Sequence, residues 1–171
     1  MVAGIPEAHT AVQRIDQDLF DAVAAEARQL PRLRRNHNLH HENDLVQRFL
    51  NVLQPGTYVR PHRHCREHPG AGFECFVVLQ GAVGVLLLDG TGVVQRLERL
   101  EASGPVRGIQ LAEGQFHTLV ALSPDAVMFE LKQGPYEPTA DKDFLPGFPA
   151  EGSPEARDQE LVWRRLFDSG A

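Results

Sequence analysis

The chain holds only two cysteines, Cys65 and Cys75, in 171 residues. Two cannot build the disulfide framework of a small secreted domain, and their spacing is not a C-x-x-C pair. Positive charge is also short: 17 Lys and Arg face 23 Asp and Glu, a formal net charge of -6. The densest basic group, Arg32, Arg34 and Arg35, is too small to act as a nucleic-acid arm, so nucleic acid is not an expected partner. No apolar run reaches the length of a membrane span, and the opening MVAGIPEAHTAVQRID lacks a basic-then-apolar signal pattern. A cytoplasmic protein with no membrane partner is the expectation. Internal repeats and low-complexity segments are missing as well. At 42% hydrophobic residues the chain can bury one core, but it cannot supply two large domains.

What the chain has in excess is histidine. Eight occur, and His62, His64 and His68 crowd into one short stretch. Upstream, Ile15, Leu19, Val23 and Ala27 fall four apart with Phe20 and Ala24 beside them, which predicts a helix from Ile15 to Leu30, capped by Asp16 and stopped by Pro31. PRLRRNHNLHHEND is polar and irregular and reads as an ordered loop. From Asp44 the texture changes to strand-length apolar runs bounded by turn residues: DLVQRFLNVL, GTYVRPHRH, FECFVVLQG, AVGVLLLDG, GVVQRLERL, VRGIQLAEG, QFHTLVAL and DAVMFELKQG. Eight such runs without helices between them predict an all-β jelly-roll barrel. LQGA and LDGTGV read as tight hairpin connections, and FECFVVL, apolar on both faces, as a strand covered on each side. The segment after Lys132 is rich in Pro and Gly; Tyr136, Phe144 and Phe148 mark it as packing over the barrel. Ser153 and Pro154 open a short C-terminal helix with Leu161, Val162, Trp163 and Leu166 on its apolar side. The division expected is 1–42 for a helix and loop extension, 43–133 for the barrel and 134–171 for a tail with the last helix.

Residues two apart on a strand share a face, so His62 and His64 can aim at one ion while Arg63 points away. Glu74 opens an apolar strand, and His117 follows the Gly114 turn at the start of another. Three imidazoles and one carboxylate from three strands suit a divalent transition metal. Each histidine alone reads as an ordinary polar residue at a strand end; the joint arrangement is what points to a metal. Tyr58 and Arg60 share the face of His62 and His64 by the same alternation and are candidate substrate-binding groups, Arg60 as an anchor for an anion or as half of a structural ion pair. Lys142 and Asp143 read as rim or tail-packing residues, Phe116 and Trp163 as core or cover. Cys65 points away from His64.

GTYVRPHRHCREHPGAGFECFVVLQG resembles the first cupin motif, with Gly56, His62, His64, Glu74 and Gly81 in register. GIQLAEGQFHTLVAL resembles the second through Gly114 and His117. Ala112 and Ala121 stand where cupins usually carry proline and asparagine, and the loop between His64 and Glu74 is longer than usual; the four ligands are intact. The spacing to Gly81 selects Glu74 over Glu67. A narrower resemblance runs through RRNHNLH, DLVQRFLNVLQPGTYVRPHRH, FVVLQGAVGVLLLD, HTLVAL and ELKQGPYEPTADKDF: these blocks are similar to the WbuC family of cupin-fold metalloproteins. That resemblance implies a cupin-type double-stranded β-helix with a helix at each end, and it favours Asn38 and His40 as pocket-lining groups. His37, His41 and His68 stay as loop residues. It also implies an association with O-antigen polysaccharide gene neighbourhoods, but no defined reaction.

The expectation is therefore a mononuclear metal protein acting on a small polar molecule such as a sugar or sugar-nucleotide derivative. His62, His64, Glu74 and His117 would hold iron, manganese, zinc, nickel or cobalt, acting as a Lewis acid in an isomerase or epimerase or as a redox centre in a dioxygenase. No general base can be named from the sequence. A non-catalytic metal-dependent binding or sensory module is the alternative. Cupin barrels often pair, so a homodimer with the helical ends at its interface is a further expectation.

Overall fold

The computed structural model describes residues 12–65, 72–135 and 142–168. Glu67, His68 and Tyr136 lie outside the described residues. Helix α1 (Gln17–Gln29) starts at Asp16, whose carboxylate accepts from the Leu19 amide at 3.2 Å. Its buried stripe of Leu19, Phe20, Val23, Ala24 and Ala27 packs on Leu50, Val52 and Val127 of the sheet beneath. Ile15, expected on that stripe, precedes the helix and is exposed.

Ten strands follow. They are β1 (Arg34–Asn38), β2 (Val46–Leu53), β3 (His62–Arg63), β4 (Phe73–Gln80), β5 (Ala82–Leu88), β6 (Val94–Glu101), β7 (Gly108–Ala112), β8 (Phe116–Ala121), β9 (Ala126–Gln133) and β10 (Asp143–Phe144). They form two antiparallel five-stranded sheets, in the orders β1-β2-β9-β4-β7 and β10-β3-β8-β5-β6. Val78, Leu111 and Met128 of the first sheet meet Val83, Val85, Leu100 and Leu119 of the second in one buried core. This is the expected jelly-roll barrel, with a helix at each end of the chain.

Four local expectations change. The stretch read as a loop before the barrel contains β1, which pairs with β2 along its whole length. Its alternating face, Arg34, Asn36 and Asn38, turns toward a polar cavity, so there was no apolar periodicity to read. GTYVRPHRH is not one strand: the chain turns at Gly56 (φ 95°) and pairs only at His62–Arg63. LQGA is a corner between sheets rather than a hairpin. Gly81 (φ 68°) passes the chain from β4 to β5, and a Cβ there would lie 2.2 Å from Ser123 Oγ. LDGTGV does close the β5–β6 hairpin. Finally, β4 is covered on one face only: Glu74, Phe76 and Val78 are buried while Leu79 is exposed, because the apolar stripe of α1 packs on β2 and β9 and not on it.

Helix α2 (Pro154–Arg165) is capped by Ser153, whose hydroxyl accepts from the Ala156 amide at 3.3 Å. Ala156, Glu160, Trp163 and Phe167 face inward, four or three apart, and Val162 and Leu166 are exposed. The apolar side expected from Leu161, Val162, Trp163 and Leu166 is thus rotated, with Trp163 alone retained among its buried residues. The polar member, Glu160, is satisfied by the Gly56 amide at 3.2 Å and Arg164 Nε at 2.9 Å. Phe167 presses so close to Gly84 of β5 that a Cβ there would meet it at 2.6 Å. Among the described residues no helix is long and apolar enough to cross a membrane.

Candidate metal centre

Strands β3 and β8 are neighbours, and their pairing sets His62 directly opposite His117. His64 follows just past β3. The ring centroids lie 4.6 Å apart for His62 and His117, 5.1 Å for His62 and His64, and 6.1 Å for His64 and His117. One ring nitrogen from each falls within 4.8 Å of the other two. Backbone carbonyls fix two of the rings: His62 Nδ1 donates to Arg60 O at 2.9 Å and His117 Nδ1 to Gln115 O at 3.0 Å. With the proton on Nδ1, Nε2 is left to the site.

Glu74 reaches the same point from the opposite sheet. Its Oε2 lies 3.1 Å from His117 Nε2 and its Oε1 3.5 Å from His64 Nε2. His62, Glu74 and His117 are all buried. Burial pushes Glu74 upward, but the His117 and His64 rings outweigh it and hold the carboxyl well below its usual range. Burial pushes His117 down, yet the Glu74 charge and hydrogen bond lift it above the ordinary imidazole value. His62 is held well below that value by burial, with the Lys142 charge and the other two imidazoles adding to it. Three imidazoles and one carboxylate around a common point form a donor set that fits a divalent transition metal, and the Arg60 and Gln115 carbonyls, by holding the Nδ1 protons, turn two Nε2 atoms toward that point.

The donors form one end of a cavity of about 410 Å³. Its other wall is the concave face of the first sheet, and the strand register shows how it is built. Asn38, Phe49, Glu130 and Phe76 stand side by side on β1, β2, β9 and β4; Lys132 and Glu74 form the adjacent row. Asn51 Nδ2 donates to Glu130 Oε2 at 2.6 Å. Burial, then the neighbouring Glu74 charge, pushes the Glu130 carboxyl up to about 7. Lys132 is buried with its Nζ 5.3 Å from the Phe49 ring centre.

The structure thus gathers His62, His64, Glu74 and His117, and it sets Asn38 and His40 on the cavity wall. The His40 ring packs edge-on against Phe49 at 4.6 Å. Tyr58 and Arg60 do not share that wall. Without a continuous strand through Gly56–Arg60 the two-residue alternation fails. Tyr58 stacks on Trp163 at 5.6 Å and donates its hydroxyl to Pro149 O, while Arg60 lies over the Phe144 ring at 5.0 Å. Lys142 lines the cavity; Asp143 instead pairs with Arg63 at 2.6 Å. Cys65 and His41 are exposed, and His37 is half-buried on β1, one residue out of phase with Asn36 and Asn38.

Glu130, Lys132 and Asn51 escaped the sequence reading. The signal was present in MFELK and FLN, where polar residues recur at the inward positions of central strands.

A family model described as "Domain of unknown function (DUF6016)" matches residues 15–100. No curated protein sequence matches the chain. Among solved structures, CapF in complex with the inhibitor 3-isopropenyl-tropolone is similar at 18% identity and a TM-score of 0.51, over 63% of this chain and 30% of CapF. KdgF from Halomonas sp. is similar at 23% identity and 0.46, over 62% of this chain and 82% of its own. A Cupin_2 domain of an XRE family transcriptional regulator from Enterobacter cloacae is similar at 17% identity and 0.42, over 60% and 98%. The likeness is one of fold: the barrel is of the cupin type.

Proposed function

The chain belongs to the DUF6016 family, and we propose that it is a cytoplasmic mononuclear metal protein that acts on a small polar molecule. His62, His64, Glu74 and His117 hold one divalent transition metal ion. The observation that carries this reading is the convergence of three imidazoles and a buried carboxylate at one end of a polar 410 Å³ cavity. Carbonyl-held Nδ1–H groups support it, because they turn Nε2 of His62 and His117 toward the site, where an ion would displace the proton that His117 shares with Glu74. When bound, the ion supplies Lewis-acid polarisation of a ligand oxygen.

The chain's own residues do the rest. Asn38, His40 and Lys132 bind and orient the ligand from the facing wall. Glu130 lies against Glu74 without belonging to the donor set, and its position on the wall suits taking up or returning a proton of the ligand. That favours an isomerisation or epimerisation over an oxidation. A sugar or sugar-nucleotide derivative is the substrate class, supported by the amide-rich lining and by the blocks that resemble the WbuC family.

Elemental analysis of purified protein tests the centre: near-stoichiometric metal is expected in the wild type and almost none in a His62→Ala, His64→Ala double variant. Equal metal in both sinks the proposal. Turnover of UDP-hexoses with iron, manganese or zinc added tests the reaction, and binding without turnover under every metal would make the protein a non-catalytic metal-dependent binding module.

A further inference from the structure

Asn51 has a loose end. It is 5% exposed and sits on the cavity wall; its Nδ2 is engaged by Glu130, and its Oδ1 is buried without a hydrogen-bond partner. Most buried amides that serve structure alone satisfy both ends, since an orphaned buried acceptor costs on the order of 1–3 kcal/mol. A second orphan on the same face of β2, Gln47, does not line the cavity and has both ends unpaired. Asn51 differs because it lines the cavity, beside the Glu130 carboxyl that holds its amide.

A carbonyl acceptor calls for a donor. Against the carboxylates Glu42, Glu74 and Glu130 the cavity lining sets Arg34, Lys132, Lys142 and, on the reading above, a metal dication; this excess of positive charge disfavours an ammonium group. A hydroxyl carries the donor without the charge. We propose that Asn51, held by Glu130, is a hydroxyl-binding subsite, so that the ligand is a neutral or anionic polyhydroxy molecule. One of its oxygens would meet the metal, and one of its hydroxyls would donate to Asn51 Oδ1. This rests on the metal reading. It adds a specificity-determining residue and restricts the ligand by chemistry.

The test is ligand-observed saturation-transfer NMR on metal-loaded full-length protein, with D-glucose, D-galactose and D-mannose as probes and tetrahydropyran as the ring without hydroxyls. At least one hexose is expected to bind the wild type, and tetrahydropyran to bind at least tenfold more weakly. Asn51→Leu should lose roughly tenfold in hexose affinity while keeping its metal content by elemental analysis. Equal binding of tetrahydropyran, unchanged hexose affinity in Asn51→Leu, or no hexose binding to fully loaded wild type each overturns the subsite. The wild-type comparison between ring types decides even if the variant does not fold. Wild type that purifies without metal and takes none up is a failure of the metal centre instead, and elemental analysis separates the two.

Discussion

The two ends of the barrel are built from the same strands and differ in almost every property. On β8, Ala121 and Leu119 point into the closed end and His117 into the open one. β9 runs from Met128 to Glu130 and Lys132, and β4 from Val78 through Phe76 to Glu74. Alternation decides which residues face inward, and depth along the strand decides whether those residues are apolar. At the closed end Val83, Val85, Leu100 and Met128 are wholly buried and gain from burial directly. At the open end, the buried polar groups of the cavity lean on one another: Glu74 on His117 and His64, Asn51 on Glu130. Stability is thus concentrated at one end and chemistry at the other.

That division breaks if either end does the other's work. The largest effect is expected from Leu100→Ala at the closed end, where truncating a fully buried leucine should cost about 2–5 kcal/mol in urea unfolding. The folded fraction should still carry wild-type metal; a loss of metal would show that the centre depends on core packing. The converse is the His62→Ala, His64→Ala variant, which should lose at least nine-tenths of its metal. Its metal-free form should be destabilised by less than Leu100→Ala in the same assay, and greater destabilisation would make the histidines structural.

A smaller effect sharpens the electrostatic half. In metal-free protein His117 sits above its ordinary value of 6.5 and Glu74 well below its value of 4.5. The raised histidine contributes stability that is full below 6.5 and is lost as pH rises through its folded value; the depressed carboxyl contributes above 4.5 and is lost as pH falls toward its own. Metal-free protein should therefore be best supported by this pair between about 4.5 and 6.5, and should weaken on the alkaline side. Glu74→Gln should flatten that alkaline decline, followed by urea midpoints across the range. An unchanged slope would mean that the pair is not coupled in solution.

Much of this contrast was legible in the sequence, though unevenly. His62, Glu74 and His117 stood out because each interrupts or borders an apolar run, and the two-residue period is a strong signal where the strand is real. The same period misled at Tyr58 and Arg60, since the turn at Gly56 and the lone pair of β3 residues break the strand that would have carried it. β1 was invisible because a strand lining a polar cavity shows no apolar alternation. Glu130 and Asn51 were hidden for the opposite reason: they lie in strands apolar enough to be read as core, and only pairing across β2, β9 and β4 shows them meeting.

The smallest predicted effect concerns where the polar end stops. Gln47 lies on β2 in the row of Lys132 and Glu74, is 0% exposed, and has neither amide atom hydrogen-bonded. It sits outside the cavity, so it bears the desolvation penalty of a polar end without the ligand access that gives Asn51 a use. Replacing it with methionine keeps the volume and flexibility and removes both orphans, so Gln47→Met should stabilise the fold by about 1–2 kcal/mol. Metal content and hexose binding should not change. The urea midpoint measures the first and elemental analysis with NMR the second. A destabilised variant would show that Gln47 is satisfied by ordered water, and a variant with altered hexose binding would extend the polar end of the barrel one row further than the strand register alone suggests.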